Sequence, residues 1–233
     1  MIVLTLAGSG NRFIDKGYRS DKYLLPTQNG QTIIEQIISS FPMEENVLAI
    51  TNYKHDNRET LNDILKNHIK NYKVVEVNDT TGQLTTAVTG LKKCKKWYNE
   101  NDHIWIYNGD TLRYITIDTD LWKKYDKIDG ILEVFKMPGD HWSFVDKLGL
   151  VHKVTEKVRI SSLCSTGLYG FRSIKLFIEL ASESIETKGE HYIAPLYNNL
   201  IKKNKKVLSY LVKKDELKVV GTPDEYYSIF DPE

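Results

Sequence analysis

The sequence lacks features that mark several large classes of protein. No apolar run approaches the roughly 20 residues of a membrane-spanning helix, and no basic region followed by an apolar stretch opens the chain, so we expect neither a membrane span nor a signal peptide. Cysteine is scarce, because Cys94 and Cys164 are the only 2 among 233 residues and stand in no metal-binding spacing. We therefore predict two free thiols and a cytoplasmic protein.

An excess of charge of one sign is also missing. The 32 Lys and Arg residues nearly balance the 31 Asp and Glu residues, which gives a net charge of +1. Proteins that bind nucleic acid normally carry a basic excess on the surface that meets the phosphates. We therefore expect no nucleic-acid partner.

Strand and helix patterns alternate through about residue 127. The apolar run Ile2–Ala7 predicts a buried parallel strand, and similar runs follow it. Amphipathic segments between these runs predict helices, one of which begins at Thr32 with Glu35 at the spacing of a capping box. Asp56 and Glu59 predict a second capping box. The predicted fold class is α/β, a Rossmann-like, mixed but mostly parallel central sheet with helices on both faces.

The pattern changes after residue 128. Short segments separated by turn residues predict antiparallel or mixed strands that extend the same sheet. Ser173 predicts the start of a helix whose apolar stripe includes Ile185, and Pro223 predicts the start of a later one. No linker or repeat is visible. We therefore predict a single domain over residues 1–233, with a first half over 1–127 and a second half over 128–233.

The loop after the first strand contains the strongest functional signal. Gly8 and Gly10 allow backbone N–H groups to approach a phosphate closely, and Arg12 can hold phosphate oxygens with its forked guanidinium. A dinucleotide-binding turn needs a third glycine where Phe13 stands, and the Gly-Lys-Ser/Thr of a P-loop is absent. The loop therefore predicts a phosphate site of another kind.

This loop and the segment that follows it resemble the signature of the nucleotidylyltransferases, which activate small phosphates with a nucleoside triphosphate (NTP). The matching residues are Gly8, Gly10, Arg12, Lys22, Leu24 and Pro26. Asn11, Asp21 and Tyr23 depart from the signature. Further family motifs follow in the right order at Thr81–Ala87, Asn108–Asp110, Thr155–Lys157, Ser165–Phe171, Glu190–Tyr192 and Gly221–Glu225.

The resemblance implies the nucleotide-diphospho-sugar transferase type of this fold, with the NTP in the first half and the acceptor in the second. The implied nucleotide-binding residues are Ala7, Gly8, Ser9, Gly10, Gly82 and Gln83. The implied catalytic residues are Arg12, Lys22 and Asp110, and Asp110 would also hold Mg²⁺. The implied acceptor-binding residues are Glu156, Lys157 and Gly167. In the implied reaction an acceptor phosphate attacks the α-phosphorus of the NTP and pyrophosphate leaves.

The implied partners are an NTP and a small phosphorylated acceptor, for which sugar 1-phosphates are the commonest choice in the family. The base stays open among CTP, UTP, dTTP and GTP, and a homo-oligomer is compatible with the resemblance. Capsule or lipopolysaccharide precursor synthesis is the implied pathway. Four aromatic residues either line an acceptor pocket or pack in the core: His141, Trp142, Tyr192 and Tyr197.

One departure from the family bears on the metal and favours one of the three alternatives below, the noncatalytic homologue. Many members carry a second metal-ligating Asp two residues before the late glycine, where this chain has Val219. The alternatives are a cytidylyltransferase acting on a non-sugar phosphate, a noncatalytic nucleotide-binding homologue, and a nucleotide-sugar glycosyltransferase. The last class needs an Asp-x-Asp motif after a strand, and Asp118-Thr119-Asp120 has the letters but follows a separate segment. Structural alternatives remain for Asp110 as a loop cap and for Glu156 and Lys157 as an exposed pair.

Overall fold

A computed structural model describes residues 1–186 and 189–230 of the chain. Its strands are β1 (Ile2–Thr5), β2 (Asn46–Asn52), β3 (Asn71–Val77), β4 (Ile104–Asn108), β5 (Thr111–Arg113), β6 (Gly130–Lys136), β7 (Ser143–Val145), β8 (Gly149–Leu150), β9 (Val154–Glu156), β10 (Leu163–Phe171), β11 (Val207–Leu211) and β12 (Leu217–Val219). Its helices are α1 (Asn11–Ile14), α2 (Ile33–Ile38), α3 (Arg58–His68), α4 (Gln83–Lys93), α5 (Leu121–Lys124), α6 (Ile174–Ser182), α7 (Leu196–Lys202) and α8 (Pro223–Phe230). Within these ranges no helix is long and apolar enough to cross a membrane.

One mixed sheet forms the centre of the molecule, with the strand order β3-β2-β1-β4-β10-β6-β11-β8. Strands β1 to β4 run parallel to one another, as do β6 and β11. Strand β10 runs antiparallel between β4 and β6 and so joins the two parallel groups. The predicted α/β class with a mixed, mostly parallel sheet is confirmed. The single domain and its division at residue 128 stay predictions.

Helices cover both faces of the sheet because alternate residues of each strand point to opposite sides. Val3 packs into one hydrophobic cluster with residues of α4, α6 and α7, whereas Ile2 and Leu4 pack into the other with residues of α2 and α3. The predicted capping box of α2 is present, since Glu35 N donates to Thr32 Oγ1 over 3.3 Å and Thr32 N donates to Glu35 Oε2 over 2.6 Å.

Two local predictions were wrong. Asp56 does not cap α3, because it adopts a left-handed backbone with φ 47°, and Asn57 takes the N-cap position instead. Ile185 does not extend the apolar stripe of α6, because that helix ends at Ser182 and the Ile185 side chain is 84% exposed. Each error concerns where a helix begins or ends rather than whether it exists.

A buried ion pair connects β5 and β6. The side chains of Arg113 in β5 and Glu133 in β6 are each 1% exposed, and both guanidinium NH groups donate to the carboxylate. Glu133 also accepts hydrogen bonds from Thr166 Oγ1 over 2.7 Å and from Tyr210 Oη over 2.8 Å. Because Arg113 follows Asp110 closely and Thr166 precedes Gly167, this network connects two segments in which the sequence predicts site residues.

Candidate functional site

A cavity of about 640 Å³ opens where the parallel strands β1 and β4 end. In the sheet, β2 lies on one side of β1 and β4 lies on its other side, so the strand order reverses beside β1. The cavity therefore lies at a topological switch point, which is where open α/β sheets bind ligands. Its volume falls in the range of small-molecule sites. The lining consists of residues 5–10, 21–23, 79–83, 86, 108–110, 189, 190 and 192.

The cavity brings together the residues predicted for the nucleotide and for the reaction, with one exception. The predicted residues in its lining are Ala7, Gly8, Ser9, Gly10, Lys22, Gly82, Gln83 and Asp110. Arg12 lies on α1, exposed and outside the lining. The residues predicted for the acceptor, Glu156, Lys157 and Gly167, also stay outside the lining. Lys157 contacts Tyr192 of the lining, and Gly167 lies against Asn108, which also belongs to it.

The loop after β1 presents bare backbone to the cavity. Gly10 adopts a left-handed conformation with φ 65°, which lets the chain turn sharply into the single-turn helix α1. A Cβ atom added to Gly8 or Gly10 would meet no atom within 4 Å, so open space lies beside both residues. Phe13 is 2% exposed and anchors the far end of the loop in the core. The loop can therefore offer backbone N–H groups to a phosphate.

Lys22 and Asp110 form an ion pair in the cavity, with 2.8 Å between Lys22 Nζ and Asp110 Oδ2. Their side chains are 24% and 28% exposed, so a ligand can reach both. Lys22 belongs to a short 3₁₀ turn whose next residue, Tyr23, is buried, and Asp110 follows Gly109 at the end of β4. The fold thus places a cation and a carboxylate from distant parts of the chain beside the glycine loop.

Glu225, which the sequence analysis gave no role in the site, lies near Asp110. A Cβ atom added to Gly221 would lie 3.4 Å from Asp110 Oδ2 and 3.6 Å from Glu225 Oε2. Glu225 Oε2 already accepts from Thr222 N over 2.9 Å at the start of α8. Among the described residues no group of three or more side chains could hold a metal ion. Lys22 donates to Asp110 Oδ2, and no described residue donates to Asp110 Oδ1. One carboxylate with an available oxygen suits a Mg²⁺ ion held largely by phosphates and water.

The Asp-x-Asp letters do not contribute to the cavity. Asp118 and Asp120 are exposed and lie outside its lining, and Asp120 pairs with Lys123 at the start of α5. This position weighs against the glycosyltransferase alternative.

A polar cluster beside Lys22 was not predicted. The side chain of Asp21 lines the cavity and accepts from Asn57 Nδ2 over 2.5 Å, while His55 Nδ1 lies 3.5 Å from its other oxygen. Burial raises the pKa of Asp21, and His55 and Asn57 oppose this shift. The buried Tyr23 hydroxyl joins the same cluster and contacts Thr51 Oγ1 at 3.1 Å. The signal for this cluster was in the sequence, because Asp21 and Tyr23 are two of the departures from the family signature.

The segment around Gly82 is hydrogen-bonded through its backbone to His191, which comes from the second half of the chain. The φ of Gly82 is +119°, and a Cβ atom there would lie 2.7 Å from the backbone oxygen of His191. Around it, His191 N donates to Thr81 O over 2.7 Å and Leu84 N donates to His191 O over 3.2 Å. Gly82 is needed here because a side chain would collide with the neighbouring backbone. Gln83 follows at the first position of α4 and turns its side chain into the cavity.

Lys157, predicted for the acceptor, is connected to the cavity through Tyr192. Lys157 Nζ lies 2.5 Å from Tyr192 Oη and 4.7 Å from the centre of its ring, and Tyr192 lines the cavity beside Glu190. Glu156 accepts a hydrogen bond from Ser143 Oγ. Burial raises the pKa of Glu156, while Ser143 and Lys157 oppose the shift and Glu190 adds to it. The second half therefore places Glu190 and Tyr192 in the lining, with the Lys157 ammonium against the Tyr192 hydroxyl.

Gly167 lies outside the lining and affects the cavity through Asn108. It lies where the register of β10 shifts, with φ +89°, and a Cβ atom there would come within 2.1 Å of Asn108 Nδ2. Asn108 lines the cavity, and its buried Oδ1 has no hydrogen-bond donor among the described residues. The absence of a side chain at Gly167 thus leaves room for Asn108 at the end of β4.

The remaining predicted aromatic residues divide between surface and core. Tyr197 is buried, and its hydroxyl donates to the backbone oxygens of Ile131 and Gly170 over 3.0 and 3.1 Å. Trp142 packs edge-on against Phe135, with His141 beside it. Of the four, Tyr192 alone lines the described cavity.

No protein-family model matches the sequence, and no curated protein matches it. Solved structures do match. The nucleoside-diphosphate-sugar pyrophosphorylase from Vibrio cholerae RC9 is 33% identical, with 98% of this chain and 99% of that chain covered and a TM-score of 0.90.

Two more distant structures share the fold. A UDP-glucose pyrophosphorylase in complex with UDP-glucose is 19% identical, with 98% of this chain and 95% of that chain covered and a TM-score of 0.78. The inositol-1-phosphate CTP transferase from T. maritima is 14% identical, with 96% and 89% covered and a TM-score of 0.72. The similarity to the Vibrio protein extends over essentially the whole of both chains, and the resemblance predicted from the motifs is confirmed. The chain belongs to the sugar-phosphate nucleotidylyltransferase family of enzymes.

Proposed function

We propose that this protein transfers a nucleoside monophosphate from an NTP to a small phosphate acceptor, such as a sugar 1-phosphate, and releases pyrophosphate. The observation that carries this proposal is the Lys22–Asp110 pair, 2.8 Å apart in a cavity whose wall is the bare glycine loop. A cation, a carboxylate and open backbone N–H groups together suit a triphosphate. The proposal includes the synthesis of capsule or surface-polysaccharide precursors, which rests on the sequence resemblance, and a cytoplasmic location, which rests on the two free thiols.

The proposed reaction is a displacement at phosphorus. An oxygen of the acceptor phosphate forms a bond to the α-phosphorus, and the bond from that phosphorus to the bridging oxygen of pyrophosphate breaks. Lys22 neutralises charge near the α-phosphorus and Arg12, from the edge of the glycine loop, reaches the leaving pyrophosphate. Such transfers depend on positioning and charge neutralisation rather than on a covalent enzyme intermediate. Lys22 is held by Asp110 before the substrate arrives, so its ammonium is already oriented.

Asp110 is the residue that would hold a Mg²⁺ ion. Lys22 donates to its Oδ2, and within the part of the chain that the structure describes no group donates to its Oδ1, which would therefore be the oxygen that meets the ion. Bound Mg²⁺ would supply charge neutralisation for the triphosphate, with most of its remaining ligands from phosphate oxygens and water. Val219 offers no second carboxylate, because it is apolar and packs against a small hydrophobic cluster.

The acceptor is proposed to lie against Tyr192, between the ammonium of Lys157 and the carboxylates of Glu156 and Glu190. Lys157 would bind the acceptor phosphate, and the carboxylates would accept hydrogen bonds from acceptor hydroxyls. The same pair of carboxylates beside an aromatic ring also suits an acceptor with a positively charged group. This observation supports the second candidate, a cytidylyltransferase acting on a non-sugar phosphate.

A pyrophosphate-release assay tests the proposal. CTP, UTP, dTTP and GTP are each combined with a sugar 1-phosphate, an inositol phosphate or a phosphorylated amino alcohol, with Mg²⁺ present or removed by EDTA. We expect release with at least one pair, dependent on the metal and abolished by Asp110→Asn. A protein that binds NTP but releases no pyrophosphate with any acceptor would be the noncatalytic homologue. Full activity in excess EDTA would contradict the metal assignment.

The phosphate residues are tested with matched controls. Arg12→Ala and Lys22→Ala should each lower turnover at least ~100-fold, a loss of roughly 2.7 kcal/mol of transition-state stabilisation. Arg19→Ala and Lys16→Ala remove the same charges from exposed positions near the loop and should leave turnover within about twofold. Near wild-type turnover in either test variant would contradict its assigned role.

A further inference from the structure

The amide of Gln83 is held in one orientation by a residue of the central sheet. Gln83 Nε2 lies 3.1 Å from Thr5 Oγ1, and Thr5 Oγ1 lies 3.1 Å from the backbone oxygen of Tyr107. Thr5 ends β1 and Tyr107 belongs to the adjacent β4, so the hydroxyl stands on rigid sheet at the floor of the cavity. These two contacts determine which end of the Gln83 amide, the oxygen or the NH₂ group, faces a ligand in the cavity.

The direction of each hydrogen bond follows from what each group can do. A backbone carbonyl oxygen only accepts, so the single hydroxyl proton of Thr5 goes to Tyr107 O. Thr5 Oγ1 then has only lone pairs to offer Gln83. The end of the Gln83 amide that faces Thr5 must therefore be the NH₂ group, because the carbonyl oxygen there would leave two acceptors in contact.

The other end of the amide is consequently an acceptor. No group among residues 1–186 and 189–230 donates a hydrogen bond to Gln83 Oε1, and the Gln83 side chain lines the cavity. The main chain of Gln83 cannot turn to change this, since Thr81 and Leu84 on either side of it are hydrogen-bonded to His191. A ligand that meets this side chain meets a fixed carbonyl oxygen.

We propose that Thr5 is a positioning residue for base recognition. Its hydroxyl holds the Gln83 amide so that Gln83 Oε1 accepts a hydrogen bond from an N–H group of the nucleobase. The inference rests on the proposed function, which places the base against Gln83. The inference specifies which hydrogen-bonding group the base must have at this contact. A base with an N–H donor there binds well, whereas a base without one leaves the Gln83 oxygen unpaired. Without the Thr5 hydroxyl, the amide can turn over and present its NH₂ group to a base carbonyl instead.

The test begins by measuring, by calorimetric titration, the affinity of the wild-type protein for CTP, UTP, dTTP and GTP. The tightest binder is then compared with its derivative in which the N–H is missing or blocked. For CTP this is the pyrimidin-2-one riboside triphosphate, for UTP or dTTP the N3-methyl derivative, and for GTP the N1-methyl derivative. The ratio of the two dissociation constants is measured in wild type, Thr5→Val, Thr5→Ser and Gln83→Leu.

We expect the derivative to bind wild type about tenfold more weakly than its parent, as for one hydrogen bond to a half-buried acceptor. Thr5→Val has nearly the same shape without the hydroxyl, and its ratio should fall to about threefold or less. Thr5→Ser should restore the wild-type ratio, and Gln83→Leu should remove the discrimination. Because the readout is a ratio within each variant, a general loss of stability does not imitate the effect.

Three other outcomes would each contradict a different step of the inference. If wild type binds none of the four NTPs, the proposed function fails, and this inference fails with it. If wild type binds an NTP but binds its derivative equally well, the reading through Gln83 Oε1 is wrong while the proposed function stands. If Thr5→Val keeps the full wild-type ratio, Thr5 does not orient the amide.

Discussion

The Arg113–Glu133 pair predicts an unusual stability response. Both side chains are 1% exposed, and the carboxylate also accepts from Thr166 and Tyr210. Burial lowers the pKa of Arg113, but the attraction of Glu133 outweighs it and the net shift is upward, so the guanidinium stays charged. Glu133→Gln should therefore leave a buried charge without its counter-ion, which typically costs about 3–5 kcal/mol.

That cost translates into a large change in melting temperature. For a chain of this length, each kcal/mol lowers the melting temperature by about 2–4 °C, so Glu133→Gln should lower it by roughly 6–20 °C. Arg113→Met in the Glu133→Gln background removes the stranded charge and leaves the glutamine oxygen to accept from Thr166 or Tyr210. The double variant should recover at least half of the loss, because the charge rather than the packing causes it.

Thermal and urea unfolding of wild type, both single variants and the double variant measure this cycle. The matched control is Lys123→Met, which removes a charge from the exposed pair with Asp120 and should leave the melting temperature nearly unchanged. The reasoning is refuted if Glu133→Gln lowers the melting temperature by no more than this control, or if the double variant is less stable than both singles.

Three further predictions concern the site. Lys157→Ala should lower kcat/KM for the acceptor about 10- to 150-fold with little change in NTP affinity, whereas Lys153→Ala, also exposed, should change neither; a collapse of NTP affinity in a binding titration would reverse the assignment of the halves. Burial raises the pKa of Glu156, so the folded state favours the protonated carboxyl. The stability that Glu156 contributes is therefore fully present below its usual pKa of 4.5 and is lost as the pH rises through the raised pKa. Glu156→Gln should therefore melt higher than wild type near pH 7.5, with a gap that narrows towards pH 4, and an equal gap at all pH values would count against the shift. Gly82→Ala should weaken NTP binding at least ~10-fold and lower stability by about 1–3 kcal/mol, since its φ of +119° and the nearby His191 backbone oppose a side chain; unchanged binding in calorimetry would contradict this.

Much of the fold was predictable because local patterns determine it. The capping box at Thr32 and Glu35 was correct because it needs only neighbouring residues and their backbone. The prediction at Asp56 failed because Asn57 is drawn to Asp21 by a long-range hydrogen bond, so the helix begins elsewhere. Propensity and spacing cannot reveal a partner 36 positions away.

The site was predictable where the motif residues themselves line the cavity, as with Lys22 and Asp110. Thr5 could not be recognised, since in sequence it is one more residue of an apolar strand, and its role appears only once β1 lies beside β4 and below α4. The neighbours of Gly82 were equally hidden, because His191 comes from the other half of the chain. Tyr192, in turn, links Lys157 to the cavity, a contact that no spacing rule contains.

The main-chain link at Gly82 has a consequence for how such enzymes can diversify. The segments expected to touch the base and the acceptor are joined by backbone hydrogen bonds, and neither bond depends on which side chains stand at the neighbouring positions. Substitutions that change the chosen base or acceptor can therefore accumulate on either side without disturbing the distance between the two substrates. Glycine at this position therefore allows one fold to change its substrates while the distance and orientation between the two bound substrates stay the same.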